Sequence, residues 1–164
     1  NIMGLWMLQS IKKELGSVTF PELINLARGK EKNYIVDVND KRFLSPQSMI
    51  AEINAAVGRE LGTASLVRTV YDSLALSYKQ AIEELEVNTG AVFDSINIIG
   101  GGSRDGLLNE LTSKVTGKKV ITGPVEATAT GNIIAQMISA GEIKDISAAR
   151  EIIKNSFEIS EVQV

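Results

Sequence analysis

Six positions have the types and spacing to do chemistry: three consecutive glycines, Gly100, Gly101 and Gly102, with Asp105 just beyond them, and two amides near the start, Asn1 and Gln9. A run of glycines removes every Cβ from a bend, so the backbone can take positive φ and approach a ligand closely. The first N–H groups of a helix behind such a bend carry partial positive charge and suit a phosphate. Asp105 works against that reading, because a carboxylate repels a pyrophosphate unless it points away or binds something else. The two commonest phosphate motifs fail on spacing. Gly100 to Gly106 lacks the Lys-Ser/Thr ending of a P-loop, and a Gly-x-Gly-x-x-Gly pattern laid on Gly100 and Gly102 meets Asp105 where its third glycine belongs. Two readings stay open: a tight strand-to-helix connection, or a different adenine-nucleotide loop.

The chain has no histidine and no cysteine. Imidazole bases, thiol nucleophiles, disulfides and zinc sites of the usual N/S type are therefore excluded. Chemistry must come from carboxylates, amides, hydroxyls, backbone N–H groups or a second domain. A net charge of −3 with mixed signs leaves no basic field for nucleic acid. No apolar run reaches the roughly 18 residues of a membrane span, and the apolar opening lacks the basic region and cleavage site of a signal peptide. Absence of cysteine fits a cytoplasmic protein, and fits others too. With 164 residues, 44% of them hydrophobic, the length suits one domain with one core. The chain opens on Asn1 in mid-pattern, which reads as a piece cut from something longer.

The glycines are positioned by what flanks them. Ile96, Ile98 and Ile99 form a short β-branched run, and Leu107, Leu108, Leu111 and Val115 recur at helical spacing behind the turn. Lys119 to Thr122 reads as a second strand, parallel to the first because a helix connects them. Asn1 and Gln9 fall in a helix expected over residues 1–15. At about 100° per residue they share a face with Leu5 and Leu8. Two amides on a buried face need partners, either neighbouring backbone or a ligand in a cleft.

Between these regions, Pro21 opens a short helix ended by Gly29, and Tyr34 to Val38 reads as a strand ended by Asn39-Asp40. Ser45-Pro46 reads as the start of a helix carrying Met49, Ile50, Ile53 and Val57. Thr63 is the expected cap of the longest helix. Its stripe of Val67, Val70, Tyr71, Leu74, Tyr78, Ala81, Ile82 and Leu85 runs to Asn88–Gly90. Small residues at 127, 129, 131 and 135 precede a packing face of Ile133, Ile134, Met137 and Ile138. Asp145 or Ser147 caps a last helix, and the tail from Ser160 is expected to be loose. So few strands cannot make a stable sheet alone, so helices dominate the core or further strands precede Asn1.

The stretch Ile96-Asn-Ile-Ile-Gly-Gly-Gly-Ser103, with Leu107 to Leu111 and the strand from Gly117 to Val120, resembles the adenosine loop in the C-terminal domain of FGGY-type carbohydrate kinases. Residues 1–9, 39–46 and 123–132 narrow the resemblance to the branch that phosphorylates L-rhamnulose on its 1-hydroxyl. The resemblance implies an α/β fold: part of an actin-like, ribonuclease-H-like ATPase domain, helix-rich with few short parallel strands. Residues 1–164 would be the C-terminal part of the nucleotide-binding domain, its N-terminal sugar-binding partner domain being absent. It further implies ATP and Mg²⁺ as cofactors, with Asn1 at the sugar, and Gln9 and Gly101, flanked by Gly100 and Gly102, at the nucleotide. Asp105 stands in the adenosine loop where related kinases often carry Asn; it can accept a bond from an adenine amino group but not donate one. The family's phosphate loops and catalytic aspartate lie upstream of the position of Asn1, so no catalytic or metal-binding residue is assigned here and the chain alone is expected to be inactive. The alternative is a non-catalytic actin-like nucleotide-binding or interaction module. A Rossmann dehydrogenase fails at Asp105. Strand edges and an apolar first helix predict that the isolated chain self-associates.

Overall fold

A computed structural model describes residues 2, 4–31 and 34–162, and the chain packs as two compact units, Asn1–Val92 and Phe93–Val164. The one core expected from length is thus divided in two.

The first unit is helical: α1 (Trp6–Leu15), α2 (Phe20–Arg28), α3 (Met49–Val57) and α4 (Thr63–Thr89). Its centre is the first half of α4, where Leu66, Val67, Val70, Tyr71, Leu74 and Ala75 are buried against the other three helices. The expected stripe does not stay covered to the end, and Leu85 is half exposed. Polar residues inside this half are satisfied locally. Thr69 Oγ1 donates to Ser65 O at 2.8 Å and Ser73 Oγ to Thr69 O at 2.6 Å. Arg68 holds Asp72 at 2.9 Å and also donates to the carbonyls of Lys30 and Ala27 at 2.7 and 3.3 Å. Arg68 thereby closes the C-terminal end of α2, whose last carbonyls have no partner within the helix.

Caps set the other boundaries. α2 begins with a capping box: Thr19 N–H and hydroxyl both donate to Glu22 at 2.7 Å, and Glu22 N–H returns to Thr19 Oγ1. Those bonds, the backbone one foremost, lower the pKa of Glu22. α3 starts later than Ser45-Pro46 predicts, because Ser48 is the cap and Glu14 of α1 accepts both Ser48 Oγ (2.6 Å) and Met49 N–H (2.5 Å). Gly62, rather than Thr63, precedes the first turn of α4.

Two further expectations are corrected in this unit. The strand expected at Tyr34–Val38 does not form. The segment is extended, but Val36 N–H donates to Ser73 Oγ (3.0 Å) on α4, and Val36 and Val38 bury their side chains. A helix hydroxyl takes the place of a neighbouring strand. The helix expected from residue 1 begins at Trp6, behind Gly4 and without a side-chain cap at Leu5.

The second unit holds a mixed sheet in the order β1 (Ser95–Ile98), β2 (Lys119–Thr122), β3 (Ser160–Val162). β1 and β2 are parallel as expected, with Ile96 opposite Val120 and Ile98 opposite Thr122. The tail expected to be loose is β3, antiparallel to β2, with Lys119 and Glu161 paired at 3.2 Å. Helix α5 (Gly106–Thr116) connects the parallel strands, packs against β2 and β3, and buries Leu107, Leu108 and Leu111. α6 (Ala127–Ser139) has no buried residue, and α7 (Ile146–Ser156) is capped by Asp145, whose carboxylate accepts Ala148 N–H at 2.9 Å. No helix among the described residues is long and apolar enough to cross a membrane.

Candidate functional site: the glycine turn

The three glycines lie in a single 3-10 turn, Gly100–Arg104, between β1 and α5. They are not equivalent. Only Gly100 takes positive φ, at +72°, so conformation demands glycine there. Space distinguishes the other two. A Cβ at Gly102 would touch Ile98 Cγ2 at 3.7 Å, whereas one at Gly101 would meet nothing within 4 Å. Gly101 is exposed, the point of the turn that a ligand can reach without displacing protein.

Several bonds hold the turn. Gly100 N–H donates to Pro124 O and Gly123 N–H to Ile98 O, each at 3.0 Å, so the corner after β2 braces the end of β1. That corner needs its own glycine. Gly123 has φ +107°, and a Cβ there would lie 2.5 Å from Glu158 O in the segment leading into β3. Within the turn, Ser103 Oγ donates to Gly100 O (2.7 Å) and Asp105 N–H to Gly102 O (3.1 Å). From α5, Asn109 Nδ2 reaches back to Ser103 O at 3.0 Å.

Asp105 proves to be the N-cap of α5, its Oδ1 accepting Leu108 N–H at 3.0 Å. One of the helix donors that was to face a phosphate, Leu108 N–H, is thereby taken by the chain's own carboxylate, and the turn's exposed backbone at Gly101 offers an open surface beside it.

Of the amides, Gln9 lies in α1 and is exposed. Asn1 lies outside the described residues. Because α1 starts at Trp6, the helical spacing that set Asn1 and Gln9 on one face no longer applies, and of its members Leu8 is buried while Gln9 is not. Gln9 belongs to the first compact unit and the glycine turn to the second. No group of three or more carboxylates converges as a metal site among the described residues. Ser103, Asn109 and Gly123-Pro124 belong to the stretches that carry the resemblance, but no role in holding the turn was read for any of them. Asn109 carried the one available signal, an amide inside the apolar run of Leu107, Leu108 and Leu111.

The chain matches the C-terminal domain of the FGGY family of carbohydrate kinases over residues 1–140. It belongs to that family. The FGGY domain is also 42% identical to a rhamnulokinase of Bacillus subtilis, over 97% of this chain and 34% of that protein. Rhamnulokinases of Oceanobacillus iheyensis and Ligilactobacillus salivarius are 43% and 44% identical over 97% of this chain, which covers 35% and 34% of them. The chain thus spans about a third of the length of these relatives. Membership carries the actin-like ATPase fold expected above, with one change: its small sheet is mixed rather than wholly parallel. Helix α7 and strand β3 lie beyond the matched residues.

Proposed function

We propose that the polypeptide carrying this FGGY domain is a Mg²⁺-dependent kinase that transfers the γ-phosphoryl group of ATP to the 1-hydroxyl of L-rhamnulose. One observation carries the reading: identity above 40% to proteins named rhamnulokinase extends over 97% of the chain. In this reading the turn at Gly100, Gly101 and Gly102 receives the adenosine end of ATP, with Gly101 in contact. Gln9 is a second nucleotide contact, and Asn1 meets the sugar. Asp105 serves the nucleotide by fixing the junction of turn and helix. Phosphoryl transfer also needs a base at the sugar hydroxyl, donors around the phosphates and a metal. The residues described here do not supply these, so the upstream domain of the same polypeptide is the partner that completes the site, and the 164-residue chain alone is inactive and self-associates. In this reading the reaction runs in the cytoplasm, where ATP is supplied.

The test is ADP production by the full-length polypeptide with L-rhamnulose, L-fuculose, D-xylulose or glycerol, with and without Mg²⁺. Metal-dependent turnover with L-rhamnulose above the other three is the expected result. Turnover with another sugar would refute the substrate and keep the kinase, and no turnover with any would favour a non-catalytic nucleotide-binding module. Asn1→Ala should raise the KM for sugar and leave that for ATP.

A further inference from the structure

Asn109 is 1% exposed, and only half of its amide is satisfied. Nδ2 donates to Ser103 O at 3.0 Å, and because that partner is a carbonyl the orientation of the amide is fixed. Oδ1 is buried with no partner among the described residues, as is the hydroxyl of Thr112 one turn further along α5. A leucine at 109 would extend the apolar surface of Leu107, Leu108 and Leu111 and remove an unpaired oxygen. Half-satisfied buried amides cost stability relative to such a residue. What the amide supplies in exchange is a bond from the rigid helix to the interior of the turn.

We propose that Asn109 is a positioning residue for the nucleotide turn. Its amide holds the Ser103 carbonyl, the Ser103 hydroxyl holds the Gly100 carbonyl at 2.7 Å, and Gly101 is thereby kept at the open side of the turn. The chain of bonds runs from a buried helix position, through one serine, to the first glycine. A turn rich in glycine has many accessible conformations, and fixing one in advance lowers the entropy lost when a ligand binds. The effect on ATP rests on the proposed function; the clamp rests on the bonds alone.

Asn109→Leu in the full-length polypeptide separates positioning from simple packing. Melting temperature should hold or rise, because an unpaired buried oxygen is removed. The KM for ATP should rise about tenfold, the worth of a lost hydrogen bond, with the KM for sugar unchanged. Amide hydrogen exchange over residues 100–105 should accelerate in the unliganded protein. Ser103→Ala breaks the second link without adding volume and should shift ATP KM and exchange in the same direction, even if the leucine variant fails to fold. An unchanged ATP KM with unchanged exchange overturns the proposal, as does a lowered melting temperature with neither of the other changes. If the unsubstituted protein does not use ATP, the proposed function is what fails. Exchange then judges the clamp: faster exchange supports it and unchanged exchange overturns it.

Discussion

At the level of single residues, the three glycines of the turn do different work. Gly100 is constrained by its +72° φ, and Gly101 by nothing in the protein itself. Gly100→Ala should therefore destabilise the protein by about 1–2 kcal/mol, the usual penalty of a side chain in left-handed backbone. Gly101→Ala should leave the melting temperature unchanged and weaken ATP, because the added methyl enters the space a nucleotide would occupy. Thermal melts paired with calorimetric titration of ATP decide this, and unaltered ATP affinity in Gly101→Ala would remove Gly101 from the nucleotide site. Sequence shows where Cβ atoms are missing but not which φ is positive or which side of the turn is open, and Asp105 shows the same limit. Its charge made it a poor phosphate neighbour, and Asp is also among the best N-cap residues, a role visible only once the helix start at Gly106 is known.

At the level of elements, what could be read depended on how local the stabilising bonds are. The periodic apolar faces of α2, α3, α4 and α5 and the parallel pairing of β1 with β2 follow from residues close in sequence. β3 has only three residues, and its partner β2 lies 38 positions earlier at Thr122 and Ser160, so no local pattern announces it. Tyr34–Val38 has strand composition, yet its backbone partner is a serine on a helix 37 residues away. Local capping, by contrast, gives a prediction about pH. Glu22 is held below the ordinary carboxylate range by Thr19 N–H and then by the Thr19 hydroxyl. A group whose pKa is lower folded than unfolded stabilises the fold above its unfolded pKa and loses that contribution as pH falls through the folded value. The first turn of α2 should accordingly loosen under acid. In an NMR titration the Thr19 amide should follow Glu22 with a midpoint below that of an unstructured glutamate, and Glu22→Gln should abolish this response. A midpoint at the unstructured value would show that the capping box does not persist in solution.

At the level of the whole molecule, the apolar surface left uncovered is larger than the sequence pattern suggested. Ile133 and Met137, expected on a packing face, are 57% and 38% exposed, and Val92 and Ile99 are 81% and 58% exposed. Helical spacing shows which residues share a face, but not whether anything covers it. The chain spans about a third of the length of its relatives, and in the full-length polypeptide that face is expected to be covered. Apolar surface exposed on this scale favours association at about 25 cal/mol per Å² buried, before the entropy of association is subtracted. The isolated 164-residue chain should sediment as oligomers whose size grows with concentration. Ile133→Glu on exposed α6 should shift it toward monomer without lowering its melting temperature, since no residue of α6 is buried. In the full-length polypeptide the wild-type residue should be protected from solvent, and the same substitution should instead reduce stability or activity. A clean monomer for the isolated chain at high concentration would refute self-association. An unaffected full-length variant would show that α6 is surface in the full-length polypeptide as well.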